Sequence, residues 1–293
     1  NIEQELNIGR AVSLIGEEKV KELMWFHPKE PNLSLDNNLT YEDLKQDILR
    51  LYNAYREPID YKKKYILDKY QSEDEIAFTK PNIHINDEYS IGSNNWAISG
   101  NKSFNGYPIL ANDPHRSLSN PSLRYMAHLV APGWNVIGGG EPEIPGISIG
   151  HNGIGAWGLT VFRTDAEDLY VYDLNPNNYL QYMHKGEWRN FEIINESITV
   201  KDKEDVDVEL FYSVHGPVTF IDKKRKKAYA VKNAWSEVGG SPYLASLRMD
   251  QAKNWKEYRE ASNYFNIPGE NMVWADKYGD IGWQAVGIAP IRK

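Results

Sequence analysis

From residue 96 onward the chain is cut into short runs rich in β-branched and aromatic residues, each bounded by Gly, Pro, Asn or Asp. Residues 107–110, 125–130, 156–162 and 169–172 are of strand length, while 193–200 and 206–214 alternate around an acidic turn like the arms of a hairpin. The basic run from Lys223 to Lys227 falls between strand-like 218–221 and 228–231, where a solvated hairpin turn explains it better than an anion-binding patch. One late helix over 255–264 precedes strands at 272–275 and 281–286. An extensive antiparallel sheet with little helix is the expected outcome for this part of the chain.

The first seventy residues differ in kind. Ile8, Val12 and Ile15, then Val20, Leu23 and Met24, keep a period near 3.6. After an Asn-rich loop, Thr40 suits the N-cap of a helix carrying Leu44, Ile48, Leu51 and Tyr52, and Ile66 belongs to a further helical piece. Residues 71–92 are polar and without period, as expected of an exposed, cleavable spacer. The class is therefore α+β, organised as a helical segment over 1–70, a linker over 71–92 and a β-rich domain over 93–293. A helical pattern running from the first residues and a chain stopping just after a strand read as an excised segment of a longer protein.

Composition removes several functions. The formal charge of −8 argues against a general nucleic-acid binder, whose footprint is basic. There is no cysteine, which excludes disulfides, thiolate catalysis and cysteine-ligated zinc. No apolar run approaches the ~20 residues of a membrane-spanning helix. The seven histidines show no metalloprotease spacing. Gly138-Gly139-Gly140 is followed by Glu-Pro-Glu-Ile-Pro, which cannot open the helix that a dinucleotide site needs. A Ser-His-Asp triad finds no nucleophile-elbow motif to support it.

The segment of chemical interest is Gly92-Ser93-Asn94-Asn95-Trp96. Taken alone it is turn chemistry, since Gly permits positive φ and Ser and Asn bond their own backbone. If the bond before Ser93 were cut, however, the serine would carry a nucleophilic hydroxyl beside an α-amine titrating near ~8, a base far weaker than lysine. A second cluster, Asp165, Glu167 and Asp168, follows a strand; it reads as a solvated loop or as a hard-cation site. The 19 Tyr and 9 Trp suit core packing or the lining of a carbohydrate or acyl groove.

Several motifs then occur in a characteristic order. Ser93-Asn94-Asn95-Trp96 is followed by Asn112-Asp113-Pro114-His115, by Gly150-His151-Asn152-Gly153 with Trp157-Gly158, and by Val214-His215-Gly216. Asn271 with Trp274-Ala275-Asp276, and Gly279 with Gly282, complete the series. In that order and spacing the chain resembles the penicillin acylase family of N-terminal-nucleophile amidohydrolases, over about two hundred residues after Ser93 and the end of the family's α chain before it.

The resemblance implies an αββα sandwich of antiparallel sheets, incomplete here, and a precursor cut between Gly92 and Ser93 into α and β chains. It implies Ser93 as nucleophile and, as oxyanion donors, the backbone N–H of Val161 and the side-chain amide of Asn271. His115 matches a position beside the nucleophile, and Arg292 a supporting arginine. No organic cofactor is implied. A structural Ca²⁺ is, with Asp165 and Asp168 as carboxylate ligands, Glu167 as a backbone ligand and Glu5 as the α-chain carboxylate. The substrate implied is an N-acylated small molecule, of the β-lactam side-chain or acyl-homoserine-lactone type, and the compartment periplasmic or extracellular. Arg116 and Ile149 stand where phenylacetyl-accepting members carry aromatics, which turns the expectation toward aliphatic or glutaryl-like acyl groups. A non-catalytic Tyr/Trp-rich binding module and an inactive member of the family are the alternative readings.

Overall fold

A computed structural model of the protein describes residues 2–24, 26, 29–56, 92–116, 122–142, 144–239 and 245–291. Helices α1 (Ile2–Ile15), α2 (Glu17–Leu23), α3 (Tyr41–Leu44) and α4 (Arg50–Arg56) come first. Strands β1 (Gly92–Ile98), β2 (Ile109–His115), β3 (Tyr125–Ala131), β4 (Trp134–Gly140), β5 (Ile149–His151) and β6 (Gly155–Val161) follow. Next are β7 (Glu167–Asn175), β8 (Asn178–His184), β9 (Glu187–Asn190), β10 (Glu192–Ile198), β11 (Val206–Ser213), β12 (Gly216–Asp222) and β13 (Lys227–Asn233). Helices α5 (Ser246–Met249) and α6 (Trp255–Ser262) lead into β14 (Glu270–Asp276) and β15 (Ile281–Val286). The helical piece expected around Ile66 and the spacer over 71–91 lie outside the described residues.

The chain gathers into two compact units, one from Asn1–Pro58 with Ala166–Asn233 and one from Ile59–Asp165 with Ala234–Lys293. In the first, an antiparallel sheet runs in the order β10-β11-β12-β13-β7-β8-β9. Strand β13 is central, and both its faces are covered. Tyr229 and Val231 pack with Ile2, Leu6, Leu44, Ile48 and Leu49 of the helical segment, while Ala228 and Ala230 pack with Tyr172, Leu174, Tyr182 and Phe191. Burial on both faces explains why this stretch reads as an apolar run without alternation. The helix predicted from Thr40 through Tyr52 is broken. Asp43 accepts from both the N–H and the hydroxyl of Thr40, at 2.9 and 2.6 Å, which starts α3 as expected. After Leu44 the backbone turns, so that adjacent Ile48 and Leu49 are both buried and Leu51 is left exposed. Burying two neighbouring aliphatic side chains is worth roughly 3–6 kcal/mol, more than a few helical hydrogen bonds.

The second unit carries a six-stranded antiparallel sheet, in the order β15-β14-β6-β5-β4-β3, and the separate hairpin β1-β2. On one face Trp157 and Trp274 stack at 6.2 Å and pack with Tyr258, Ala261 and Phe265 from α6 and its C-terminal extension. Strand alternation sends their neighbours Gly158 and Val273 to the other face, where the hairpin lies. A Cβ on Gly158 would sit 2.4 Å from Oδ1 of Asn112 on β2, so a glycine there lets the hairpin come down onto the sheet. Helix, sheet and hairpin are thus three successive layers within this unit.

Candidate active site

Sequence alone reads Gly92-Ser93-Asn94-Asn95 as a turn, yet all four residues lie in β1. Each pairs with a residue of β2, from Gly92 opposite His115 to Ile98 opposite Ile109. Poor intrinsic strand formers are held there by the ladder and by contact with the sheet beneath. Ser93, Asn95 and Ala97 are partly covered, whereas Gly92, Asn94 and Trp96 are exposed. Asn95 shows what covers that side: its Nδ2 donates to the main-chain carbonyl of Asn271 at 3.0 Å. The two-residue period puts Ser93 on the same face as Asn95, about 7 Å along the strand. Ser93 therefore looks toward the β6–β14 part of the sheet.

On β6, Val161 stands opposite Glu270 and Thr160 opposite Asn271. The N–H of Phe162 donates to the carbonyl of Gly269 at 2.9 Å, which makes that pair a hydrogen-bonded one. The next pair, Val161 with Glu270, is then non-hydrogen-bonded, and the Val161 N–H points out of the ladder, away from β14. Short strand β5 pairs only with Ala156 and Trp157, at the other end of that edge. The Asn271 Nδ2 lies 3.4 Å from the Val161 carbonyl oxygen. Its Oδ1 accepts the indole N–H of Trp283 at 3.1 Å. Both the Val161 N–H and the Asn271 NH₂ are uncharged donors, and Asn271 lies on the side of the sheet to which the Ser93 face of β1 is tied through Asn95. Donors fixed in this way before any charge develops are what an acyl-transfer oxyanion requires.

His115 pairs across from Gly92 rather than Ser93, and its Nε2 lies 2.8 Å from Oδ2 of Asp113. Its ring flanks the residue that precedes Ser93, 3.5 Å from where a Gly92 Cβ would be. Arg292 lies outside the described residues. Ile149, on β5, packs against the Trp157–Trp274 core.

Of the residues expected to hold calcium, Glu5 lies on α1, Asp168 and the expected backbone ligand Glu167 on β7, and Asp165 on the segment before β7. Among the described residues no group of three or more His, Cys, Asp or Glu side chains is placed to hold a metal ion. The Glu167 carboxylate is committed elsewhere. Oε2 accepts the Tyr52 hydroxyl at 2.5 Å, and Oε1 accepts the Arg56 guanidinium at 2.8 Å. Burial first, and then that carboxylate, raise the Tyr52 hydroxyl well above its ordinary pKa, so it stays a donor. The carboxylate thus ties α4 to β7.

The sequence reading gave no role to three further groups. Trp283 and Asn95 bracket Asn271, and the available signal was a Trp in the exposed phase of a strand whose alternate residues are covered. Asp250, 3% exposed, accepts the Ile147 N–H at 3.0 Å through Oδ2, while its Oδ1 and the Tyr258 hydroxyl are buried without a partner among the described residues. Burial pushes the Asp250 carboxyl up to about 7, and the Ile147 bond only partly opposes that. In the first unit, His215 of the Val214-His215-Gly216 motif stacks on Tyr170 at 3.7 Å and bonds the Tyr172 hydroxyl through Nδ1. Burial, then the neighbouring His184, Lys232 and Lys185, hold His215 below its ordinary pKa.

Comparison with known proteins decides the family. Residues 1–293 match the family described as penicillin amidase. The chain belongs to it. Penicillin G acylase of Escherichia coli is 30% identical over 207 residues, 70% of this chain and 24% of that protein. The acyl-homoserine lactone acylase QuiP of Pseudomonas aeruginosa is 28% identical over 213 residues, 69% of this chain and 25% of that protein. Among solved structures, the thermostable penicillin G acylase from Alcaligenes faecalis superposes with a TM-score of 0.60 at 30% identity. That superposition covers 66% of this chain and 35% of the solved one. The chain therefore spans about a quarter of the length of the curated relatives it matches. Its fold is the α+β fold of the N-terminal-nucleophile hydrolases.

Proposed function

We propose that the protein containing this chain hydrolyses the amide bond of an N-acylated small molecule through an acyl-Ser93 intermediate. The relatives named above act, by their names, on penicillin G and on acyl-homoserine lactones, and both are N-acyl amides. The observation that supports the reading is that Ser93 shares a face of β1 with Asn95, whose side chain bonds the main chain of Asn271.

In the continuous chain the Ser93 nitrogen is a peptide amide, which cannot accept a proton at neutral pH. Cleavage of the Gly92–Ser93 bond would turn it into an α-amine of pKa near ~8. That amine, through a water molecule, takes the hydroxyl proton as Oγ attacks the acyl carbonyl. The carbonyl oxygen becomes an oxyanion between the Val161 N–H and the Asn271 Nδ2. Collapse of this adduct breaks the C–N bond, and the proton held by the α-amine leaves with the departing amine. Water then attacks the acyl ester, gives its proton to the α-amine, and the carboxylic acid is released with Ser93 regenerated.

His115, across from Gly92 and bonded to Asp113, acts in this reading on the bond that must be cut rather than on the substrate. The acyl group we favour is aliphatic, because Ile149 is spent on the core and Arg116 follows His115. Calcium takes no part in this chemistry; it rests on the family resemblance alone. Intact-mass analysis of the full-length protein is the direct test. Two pieces meeting at Gly92/Ser93 are expected, and Ser93→Ala is expected to remain in one piece and to hydrolyse nothing. Hydrolysis retained in Ser93→Ala refutes the assignment.

A further inference from the structure

Which end of the Asn271 carboxamide faces the reacting carbonyl decides whether it helps or hinders, since its oxygen would repel an oxyanion and its nitrogen would attract one. An isolated carboxamide can turn over at little cost. The indole of Trp283 has one polar group, an N–H that only donates. It lies 3.1 Å from one end of the Asn271 amide, so that end must be Oδ1. The other end lies 3.4 Å from the Val161 carbonyl oxygen, which only accepts, so that end must be Nδ2. Turning the amide over would set NH₂ against indole N–H and oxygen against oxygen, losing both bonds and creating two repulsions. The orientation is therefore dictated by chemistry at both ends.

The strand register explains how the indole gets there. Trp283 pairs with Val273, and Asn271 pairs with Ala285. Asn271 and Val273 share a face, so Trp283 is the diagonal neighbour of Asn271 on the hairpin side of the sheet, within reach of a large aromatic side chain. The ring as a whole is 60% exposed, yet its one polar atom is turned inward onto Asn271. A residue whose apolar part stays in solvent while its donor is spent on a neighbour contributes little to the core.

We infer that Trp283 is a positioning residue that sets the Asn271 amide with its NH₂ toward the oxyanion. This rests on the reading that Ser93 and Asn271 form the reactive site. Val161 thereby serves twice, its N–H as a donor and its carbonyl as the second fixed point for the neighbouring donor.

The test is a double-mutant cycle on the full-length, processed protein with an N-acyl amide substrate. Trp283→Phe keeps the ring and removes the N–H. Loss of a whole oxyanion donor costs about 10²–10³ in kcat. Loss of its alignment is expected to lower kcat by roughly tenfold or more with KM within about twofold, and an Asn271→Ala background should abolish that effect. A benzothiophene isostere of tryptophan at 283, which lacks only the N–H, is the second variant and is expected to reproduce the Phe result. Unchanged kcat in either variant overturns the inference, as does an equal loss with and without Asn271, the signature of a merely structural role. Hydrolysis that survives Ser93→Ala refutes instead the underlying assignment, whatever Trp283 does.

Discussion

Asp250→Asn tests how a buried carboxyl contributes to the second unit. Among the described residues the native carboxyl, 3% exposed, bonds the Ile147 N–H through Oδ2 and has its other oxygen buried without a partner. Its pKa is pushed up from an ordinary 3.8 to about 7 by burial, so the folded state holds the proton more tightly than the unfolded one. The stabilisation this provides is complete below about pH 4 and is lost as pH rises through about 7. At ~1.4 kcal/mol per pH unit the full effect is about 4 kcal/mol, of which about 2–3 kcal/mol falls between pH 5 and 7.5. Asparagine keeps an acceptor for the Ile147 N–H and nearly the same volume, but does not titrate. Urea unfolding of both proteins at half-unit steps from pH 5 to 7.5, followed by tryptophan fluorescence, isolates the group as the difference between two curves. The native protein should lose about 2–3 kcal/mol more than the variant over that range. Curves that stay parallel within about 0.5 kcal/mol would refute the reasoning, since a carboxyl ionised throughout gives no such slope.

The first unit should respond to acid in the opposite sense. His215 is held below its ordinary pKa, so its contribution is present above about pH 6.5 and is lost as pH falls through the folded value; His215→Gln should flatten the decline in hydrogen-exchange protection of β12 between pH 7 and 5. At Gly158 an alanine Cβ would stand 2.4 Å from the Asn112 side chain, so Gly158→Ala should lift the hairpin from the sheet. A stability cost of about 1–3 kcal/mol is expected, with kcat/KM falling by roughly a hundredfold in the full-length enzyme. Unimpaired turnover would show that the hairpin does not depend on this close approach.

The hairpin of β10 and β11, the turn at 223–226, helix α6 and strands β14 and β15 were legible because each is specified by local pattern. Strands β8 and β9 were not, being polar segments such as Asn178-Tyr179-Leu180-Gln181 whose strand character comes from pairing, β8 with β7 and β9 with β8. The residues around Ser93 show the same limit more sharply. Gly, Ser and Asn favour a turn locally, and what makes them a strand is a partner twenty residues away and a carbonyl at Asn271. Motif order pointed to Ser93, Val161 and Asn271, but not to Trp283, because the requirement it meets is the direction of another side chain. Clustering of Asp165, Glu167 and Asp168 in sequence likewise said nothing of Tyr52 and Arg56, which claim the Glu167 carboxylate from another helix.

Strand β1 runs unbroken across the bond between Gly92 and Ser93, and of its seven rungs with β2 only the Gly92–His115 rung belongs to the residue before that bond. Severing the bond therefore leaves the other six in place. A newly made chain end is ordinarily the loosest part of a protein, but one made here would be moored from the start. On the proposed reading the exposed amine would appear at a fixed address, and activation would ask for no folding step afterwards. The cut would then work as a timer rather than as a construction step.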